Sequence, residues 1–227
     1  MELSKTDKRA LENLTTDVRI VEAHRNILDE GERPKNAHAI MDGFSCRYKL
    51  LPDGKRQILD FIISGDICDG HMIILAKMDH SVGTLTRCSV AYMPHKALFD
   101  VTEKHPKVAQ ALWWIALVQE SIAREWLANI GRRPHAKRLA HLLCELSLRL
   151  EVVGLTEDHG YALPITQADL ADATGMSAVH ANRILQKLRR DDLIAFHGSS
   201  LEIKNIERLK DFAQFNSTYL HPMRRLP

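Results

Sequence analysis

Residues 165–203 read ITQADLADATGMSAVHANRILQKLRRDDLIAFHGSSLEI and predict two helices followed by a β-hairpin. The first helix begins after Thr166 and the second after Ser177, because each hydroxyl can cap the N-terminus that follows it. Gly175, between the helices, tolerates the backbone angles of a tight turn. Two short β-type runs around a Gly-Ser pair then predict the hairpin. The order of these elements indicates a helix-turn-helix with a wing.

The second helix has two chemically different faces. When it is projected at about 100° per residue, its apolar side chains share one arc, which packing would bury: Ala181, Ile184, Leu185 and Leu188. The opposite arc carries amide and guanidinium groups, and no acid occurs from Ser177 to Arg190. An ordinary solvated helix face is the alternative, but such faces usually mix both signs of charge. The composition favours contact with a polyanion.

This ordered set resembles the winged helix of the Crp/Fnr superfamily of bacterial transcription regulators. The resemblance implies that the second helix is a recognition helix that enters the major groove of double-stranded DNA. The predicted DNA-binding residues are Ser177, Ala178, Val179, His180, Asn182, Arg183, Gln186, Lys187, Arg189 and Arg190. Arg183 aligns with the base-reading Arg of the family. Guanidinium groups pair with guanine and amides with adenine in bidentate fashion, so Arg183 and Asn182 are predicted to read bases. The remaining basic residues are expected to hold phosphates.

Two positions of this helix depart from the family pattern. Many members carry a Glu where this chain has Val179, and a polar residue where it has Ala178. The family's consensus operator is therefore not expected here, and Val179 can contact a thymine methyl group instead. His180 lies between the apolar and polar arcs, which favours packing or a phosphate contact over base reading.

The N-terminal part of the chain follows a different pattern. Glycines at positions 31, 43, 54 and 65 separate short β-type runs, which is typical of a barrel or jelly roll. The predicted strands are Ala39–Met41, Cys46–Leu50, Gln57–Ile63, Ser81–Thr86 and Ser89–Met93. The family resemblance implies the same architecture, a β-roll of the cyclic-nucleotide-binding type that acts as a sensor. The predicted fold class is α+β, with this β-roll, a long dimerisation helix and a C-terminal winged helix-turn-helix.

Residues 107–130 predict one long helix whose apolar residues are too numerous for a single face. The family resemblance makes this the dimerisation helix of a homodimer, and the alternative is a helix buried within its own domain. The stripe predicted to meet the partner helix comprises Leu112, Ala116, Gln119, Ala123, Trp126 and Ile130. The expected division is residues 1–106 for the β-roll, 107–131 for the dimerisation helix and 132–227 for the DNA-binding domain.

The resemblance also locates a candidate sensor pocket. In nucleotide-binding members a Glu holds the ribose and an Arg-Ser or Arg-Thr pair holds the cyclic phosphate. Alignment on the Gly65–Asp66 turn replaces that Glu by Gly70 and that Arg by His80, which Ser81 follows. Asp79 adds an acid beside the phosphate position, and a buried anion needs a fixed cationic partner. Cyclic AMP is therefore not expected to bind.

Haem and redox sensing are alternatives within the same fold. Cys68 and His71 fall where haem-sensing relatives place axial ligands, although a lone Cys or His is more often simply packed. An iron-sulfur cluster is not expected, because no cysteine precedes Cys46. A redox switch at Cys46, Cys68, Cys88 or Cys144 is weakly supported, since no neighbouring residue type obviously lowers a thiol pKa. The favoured interpretation is a regulator that binds no small ligand and is controlled by its own abundance.

Charge and composition set the remaining expectations. The 227 residues carry a net charge of +2, and the part from Gly131 onward holds 14 Lys and Arg against 11 Asp and Glu. This small excess lies in the half with the helix-turn-helix, as phosphate contact requires. Neither a signal sequence nor an apolar run of about 20 residues is evident, so a soluble cytoplasmic protein without membrane contact is expected.

Two other function classes are less consistent with the sequence. The 12 histidines are scattered and form no catalytic motif, so the chain is not expected to be an enzyme. A signalling module whose winged helix binds protein is the second alternative, and the acid-free recognition helix argues against it. RNA polymerase is a further partner implied by the resemblance.

Overall fold

The computed structural model describes residues 2–70, 74–75, 77–157 and 160–221. The chain forms two compact units. The first is built mainly from Met1–Lys49 and Asp60–Ala123, and the second from Leu50–Leu59 and Arg124–Tyr219. Within the described residues, no helix is long and apolar enough to cross a membrane.

The N-terminal part is a β-roll flanked by two short helices. Its elements are α1 (Lys5–Leu14), β1 (Val18–Val21), β2 (Asn26–Leu28), β3 (Asn36–Asp42), β4 (Ser45–Leu50), β5 (Arg56–Ile62), β6 (Ser81–Thr84), β7 (Cys88–Pro94) and α2 (His95–Lys104). The strands form a three-stranded sheet in the order β1-β7-β3 and a four-stranded sheet in the order β2-β6-β4-β5. The sequence-predicted β-roll and its five strands are confirmed.

The alternation of side chains along these strands builds the interior of the β-roll. Its main apolar cluster joins residues of both sheets: Leu28, Ile40, Ile62, Cys68, Met78, Val82, Cys88 and Val90. Gly43, in the turn from β3 to β4, has φ +97°, and a Cβ there would lie 2.7 Å from the carbonyl oxygen of Arg87. Only glycine fits this position, because both the backbone angle and the space exclude a side chain.

A single long helix, α3 (Pro106–Arg132), follows the β-roll. Proline suits its first position because the N–H that it lacks has no partner inside a helix. Pro134, two residues beyond the last helical residue, prevents further continuation.

The second unit contains a helical core and a four-stranded sheet. Its remaining elements are α4 (His135–Val152), β8 (Thr156–Glu157), β9 (Gly160–Ala162), α5 (Gln167–Thr174), α6 (Ala178–Arg190), β10 (Ile194–His197), β11 (Ser200–Ile203), α7 (Ile206–Ala213) and a 3₁₀ helix (Ser217–Leu220). The sheet order is β10-β11-β9-β8. α4 is buried along most of its length and forms the centre against which the other helices pack. The predicted winged helix-turn-helix is confirmed as α5, α6 and the β10–β11 hairpin.

Candidate nucleic-acid interface

Side-chain caps fix the N-termini of α5 and α6. Thr166 and Asp169 form a capping box, in which the Thr166 hydroxyl accepts the Asp169 N–H at 3.1 Å and the Asp169 carboxylate accepts the Thr166 N–H at 3.0 Å. The Ser177 hydroxyl accepts the N–H of His180 at 3.2 Å. Gly175 ends α5 with φ +64°, a conformation that other residues rarely adopt. The predicted caps and turn are confirmed.

α6 buries the arc that the sequence predicts and exposes the opposite one. The side chains of Ala181, Ile184, Leu185 and Leu188 are buried. Asn182 and His180 are half-buried, while the other predicted DNA-binding residues are exposed: Ser177, Ala178, Val179, Arg183, Gln186, Lys187, Arg189 and Arg190. Val179 is 64% exposed, which is a large exposure for an apolar residue on a packed helix. The structure thus presents amide, guanidinium and valine side chains together on one accessible face.

Two of the basic side chains at the end of α6 already have contacts in the chain. The Lys187 ammonium lies 2.8 Å from a carboxylate oxygen of Asp191, one turn later. The Arg189 guanidinium lies 5.9 Å from the ring centroid of Phe196 on β10, within cation–π distance. Arg189 therefore connects the recognition helix to the wing. A phosphate must compete with Asp191 for Lys187.

His180 packs against a residue that sequence reasoning did not single out. Its ring centroid lies 4.8 Å from that of His135, the first residue of α4, and the two rings are nearly perpendicular. Partial burial, with smaller contributions from Arg138 and His180, lowers the pKa of His135. His135 is thus neutral near pH 7. No local pattern signals this pair, because the two histidines are far apart in sequence.

The wing is a β-hairpin whose turn has two residues, 198 and 199. Ile194–His197 of β10 pairs with Ser200–Ile203 of β11 in antiparallel register, with Gly198 at φ +65° in the turn. Exposed His197 at its tip contacts Glu202 through Nε2 and Oε2, 2.8 Å apart. The wing thus extends from the sheet beside α6 with a polar tip.

In the first unit, a buried ion pair holds the loop that follows β5. The Arg47 guanidinium donates to Asp60 Oδ2 at 2.6 Å and to the carbonyl oxygens of Cys68 and Ile67 at 3.0 and 2.7 Å. Both charged side chains are about nine-tenths buried. The carboxylate of Asp69, fully buried in the same loop, accepts the backbone N–H of His38 at 2.6 Å. The Arg47 guanidinium therefore donates to three different residues and holds the loop against strands β4 and β5.

The described residues of the candidate sensor pocket do not fit a cyclic nucleotide. His80 is buried, and its Nδ1 lies 2.6 Å from Asp79 Oδ1. Burial is the largest influence and lowers the pKa of His80, so the imidazole is neutral near pH 7 and supplies no fixed positive charge. The Ser81 hydroxyl already accepts the N–H of Glu30 at 3.0 Å. A cyclic phosphate would meet no fixed cation at His80, although the Ser81 hydroxyl keeps its own hydrogen as a donor.

The four cysteines all lie within the described residues, form no disulfide and are buried. Burial raises the pKa of the Cys68 and Cys88 thiols, and it raises that of Cys144 to about 12. Protonated, inaccessible thiols react slowly with oxidants, so these sites lack the features of a redox switch. Cys68, one of the two candidate haem ligands, lies in the β-roll core. His71, the other, is outside the described residues.

The predicted dimerisation stripe of α3 divides between inward and outward positions. Leu112 packs on the β-roll, Gln119 donates to the carbonyl oxygen of Ile67 at 3.2 Å, and Trp126 donates to Glu145. Ala116, Ala123 and Ile130 are exposed. Three residues of the predicted stripe thus contact their own chain and three are exposed, and their role in dimerisation stays a prediction. The outward apolar residues, called here the outer stripe, are Trp113, Ala116, Leu117, Ala123, Leu127 and Ile130.

Comparison with known families agrees with this architecture. Residues 18–105 match the model of the cyclic nucleotide-binding domain, and residues 137–212 match that of the Crp-like helix-turn-helix domain. Together the two models cover most of the chain in the order seen in the structure. The chain belongs to the Crp/Fnr family of transcription regulators.

Individual members of the Crp/Fnr family are similar over most of their length. The nitrogen fixation regulation protein FixK of Bradyrhizobium diazoefficiens is 29% identical over 81% of this chain and 77% of its own. The transcriptional activator protein FnrL of Cereibacter sphaeroides is 24% identical over 79% of this chain and 73% of its own. The solved structure of FixK2 from Bradyrhizobium japonicum has a TM-score of 0.78 at 23% identity, covering 86% of this chain and 96% of that one. This Crp/Fnr regulator therefore shares the family fold.

Proposed function

We propose that this Crp/Fnr regulator is a homodimer that reads a two-fold symmetric DNA sequence through α6 and needs no cyclic nucleotide. One observation carries the proposal: α6 exposes Arg183 on a face that has no acid from Ser177 to Arg190. Half-buried Asn182 precedes it on the same helix. Arg and Asn are the side chains that discriminate guanine and adenine in the major groove.

The outer stripe of α3 supports the homodimer. Trp113, Leu117 and Leu127 are 68%, 47% and 74% exposed. Together with Ala116, Ala123 and Ile130 they follow the three-four spacing of a two-helix seam, except between Leu117 and Ala123, where exposed Glu120 takes the intermediate position. A second copy of α3 provides a matching surface, and the resulting two-fold symmetry requires a two-fold symmetric operator.

The contacts in the first unit support regulation without cyclic AMP. Arg47 is paired with Asp60, Lys49 with Glu30, and His80 is neutral beside Asp79, so each fixed positive charge near the phosphate position is already paired with a carboxylate. Titration calorimetry with millimolar cyclic AMP is expected to give no saturable heat. A saturable heat would contradict this part of the proposal.

We further propose the division into a β-roll at residues 1–106, a dimerisation helix at 107–131 and a DNA-binding domain at 132–227. The protein acts without catalysis, in the cytoplasm, where it contacts RNA polymerase from its DNA-bound position. Membership of a family of transcription regulators supports these roles.

Selection of bound duplexes from a random pool, with purified protein and no added ligand, tests the proposal. We expect a symmetric motif whose two half-sites lie about one helical turn apart. Failure to enrich any motif, with affinity independent of salt, would favour a protein partner for the winged helix, because phosphate contact makes DNA binding salt-dependent.

Two substitutions then separate base reading from phosphate contact. Arg183→Ala is expected to cost roughly 1 to 3 kcal/mol on the selected site and to relax preference at one base pair per half-site. Arg190→Ala is the matched control on the same helix, and it should weaken binding to all sequences alike and reduce the salt dependence. Val179→Glu restores an acceptor for cytosine and should change the selected motif. An unchanged motif for Val179→Glu, with equal losses on specific and random DNA for Arg183→Ala, refutes the role of α6.

A further inference from the structure

A buried arginine links three helices of the second unit. Arg138, in the first turn of α4, is 8% exposed. Its Nη1 donates to the carbonyl oxygen of Thr174 at 2.6 Å, and its Nη2 donates to those of Ile130 and Arg133 at 2.7 and 3.1 Å. Thr174 is the last residue of α5, and Ile130 lies in the last turn of α3. One guanidinium therefore joins the C-terminal ends of two helices to the start of a third.

These carbonyl groups need an external donor. The carbonyl of Ile130 would be paired in a continuing helix by the N–H of residue 134, but that residue is Pro134 and has none. Thr174 is followed by Gly175, which turns the chain away at φ +64°. Arg138 supplies the missing donors at both ends. Its permanent positive charge also suits the partial negative charge of a helix C-terminus.

The same contact reaches the turn that orients the recognition helix. A Cβ built on Gly175 would lie 3.6 Å from Arg138 Nη1 and 3.8 Å from Ile130 Cγ2, so the turn lies directly against both. The Nε atom of Arg138 is buried and has no hydrogen-bond partner among the described residues. Arg138 also lines a small cavity together with Trp126, Asn129 and Leu142. The guanidinium thus makes its hydrogen bonds through the two Nη atoms, which join α3 to α5.

We propose that Arg138 is a positioning residue that fixes the helix-turn-helix relative to the last turns of α3 and thereby sets the spacing between the half-sites that the dimer reads. The inference rests on the proposed function, because spacing is defined only for a dimer on a two-fold symmetric site. The last turns of α3 carry Leu127 and Ile130 of the outer stripe, and α6 begins three residues after Thr174. Arg138 lies between these two surfaces.

Duplex selection with Arg138→Lys tests the inference. Lysine keeps the charge but offers one ammonium group, which cannot reach both helix ends in the geometry of the guanidinium fork. We expect the wild type to select one half-site spacing. We expect Arg138→Lys to accept spacings one base pair longer and shorter, and to lose fivefold or more in affinity for the wild-type site. The base preference within each half-site, including the position read by Arg183, should stay unchanged.

Arg149→Lys is the matched control. Arg149 is on the same helix, is mostly buried, and donates to Glu145 one turn earlier at 3.4 Å. The Arg149→Lys variant should still select one spacing between half-sites. If Arg138→Lys loses the same affinity for full sites and for isolated half-sites, and still selects one spacing, Arg138 has only a role in stability. That result would overturn the inference. Absence of a symmetric motif for the wild type would instead refute the proposed function.

A distance measurement covers the case in which Arg138→Lys binds no DNA. Gln167→Cys places a spin label on exposed α5, outside the predicted DNA-binding residues. Pulsed electron-paramagnetic-resonance distances between the two labels of a dimer should be narrowly distributed in the otherwise wild-type protein. We expect a clearly broader distribution after Arg138→Lys. An unchanged distribution in a folded dimer would overturn the inference.

Discussion

The indole N–H of Trp126 lies 3.1 Å from each carboxylate oxygen of Glu145, which joins the last turns of α3 to the middle of α4. Glu145 is fully buried and also accepts the hydroxyl hydrogen of Tyr219 at 2.8 Å. A buried carboxylate depends on such donors, because an unpaired charge in the interior is strongly destabilising. Trp126 therefore stabilises the second unit, although its place in the apolar pattern of α3 suggests an interface.

Trp126→Phe removes one donor to Glu145 and should lower the free energy of unfolding by about 1.5 to 3 kcal/mol, the range for hydrogen bonds to charged groups. Urea denaturation at a fixed protomer concentration measures the change, and sedimentation should still show a dimer. Phe99→Leu is the control, because Phe99 is an aromatic residue of α2 that is 49% exposed and lies outside the outer stripe. Equal stability of the two variants would contradict the structural role of Trp126.

Leu127→Glu tests the outer stripe of α3. Leu127 is 74% exposed, and in a two-helix seam two introduced carboxylates would lose apolar contact and repel each other. The double variant with Leu117→Glu and Leu127→Glu should be a monomer in sedimentation equilibrium. It should no longer bind the full two-half-site operator. Leu155→Glu, the same chemical change at a residue 45% exposed beyond α4, should remain dimeric. A dimer that survives both stripe substitutions would show that α3 is not the seam.

Stability should depend on pH through His80. Burial lowers the pKa of His80 in the folded chain, whereas the unfolded chain takes up the proton near the ordinary value of about 6.5. The unfolded state therefore binds more protons below that value, and the free energy of unfolding should fall as the pH decreases through this range. Above it, the ionisation of His80 has no effect on stability.

Denaturation curves at pH 7.5 and 5.5 check this dependence. His80→Gln should make the loss between the two conditions smaller than in the wild type. His24→Gln, at an exposed histidine of the same unit, is the control and should leave the loss unchanged. If His80→Gln leaves the pH dependence intact, other groups carry it.

The four thiols should be unreactive in the folded protein. All four are buried, and burial raises the pKa of Cys68, Cys88 and Cys144, so reaction with Ellman's reagent at pH 8 should be slower than that of a free thiol by on the order of 100-fold or more. All four should react in guanidinium chloride. One thiol that reacts in the native state at the rate of free glutathione would restore the redox hypothesis.

Local signals in the sequence were sufficient to predict the helix-turn-helix. The apolar arc of α6 follows from its period, and the caps at Thr166 and Ser177 and the turn at Gly175 follow from residue types with specific backbone roles. Each of these interactions spans at most a few residues. The structure reproduces all of them.

Contacts between distant segments were not predictable in the same way. α3 is apolar around much of its circumference, so its period cannot show which apolar side chains face their own chain, and Trp126 is buried by a partner on α4. Arg47 and Asp60 pair across strands whose register no local pattern specifies. Arg138 acts at the ends of helices α3 and α5, while its own position in α4 resembles that of an ordinary basic residue.

The Arg47–Asp60 pair determines how strongly an effector must prefer the separated form of the pair if it is to open it. Opening the loop at Ile67–Cys68 would cost Arg47 two of its acceptors, and separating it from Asp60 would leave buried charges without partners. Breaking such a pair costs about 3 to 5 kcal/mol, which leaves roughly one molecule in 10² to 10⁴ open at equilibrium. A small molecule that acts by separating Arg47 from Asp60 must bind the separated form more tightly than the paired form by at least that factor. A ligand that binds both forms equally well leaves the pair closed, however tightly it binds.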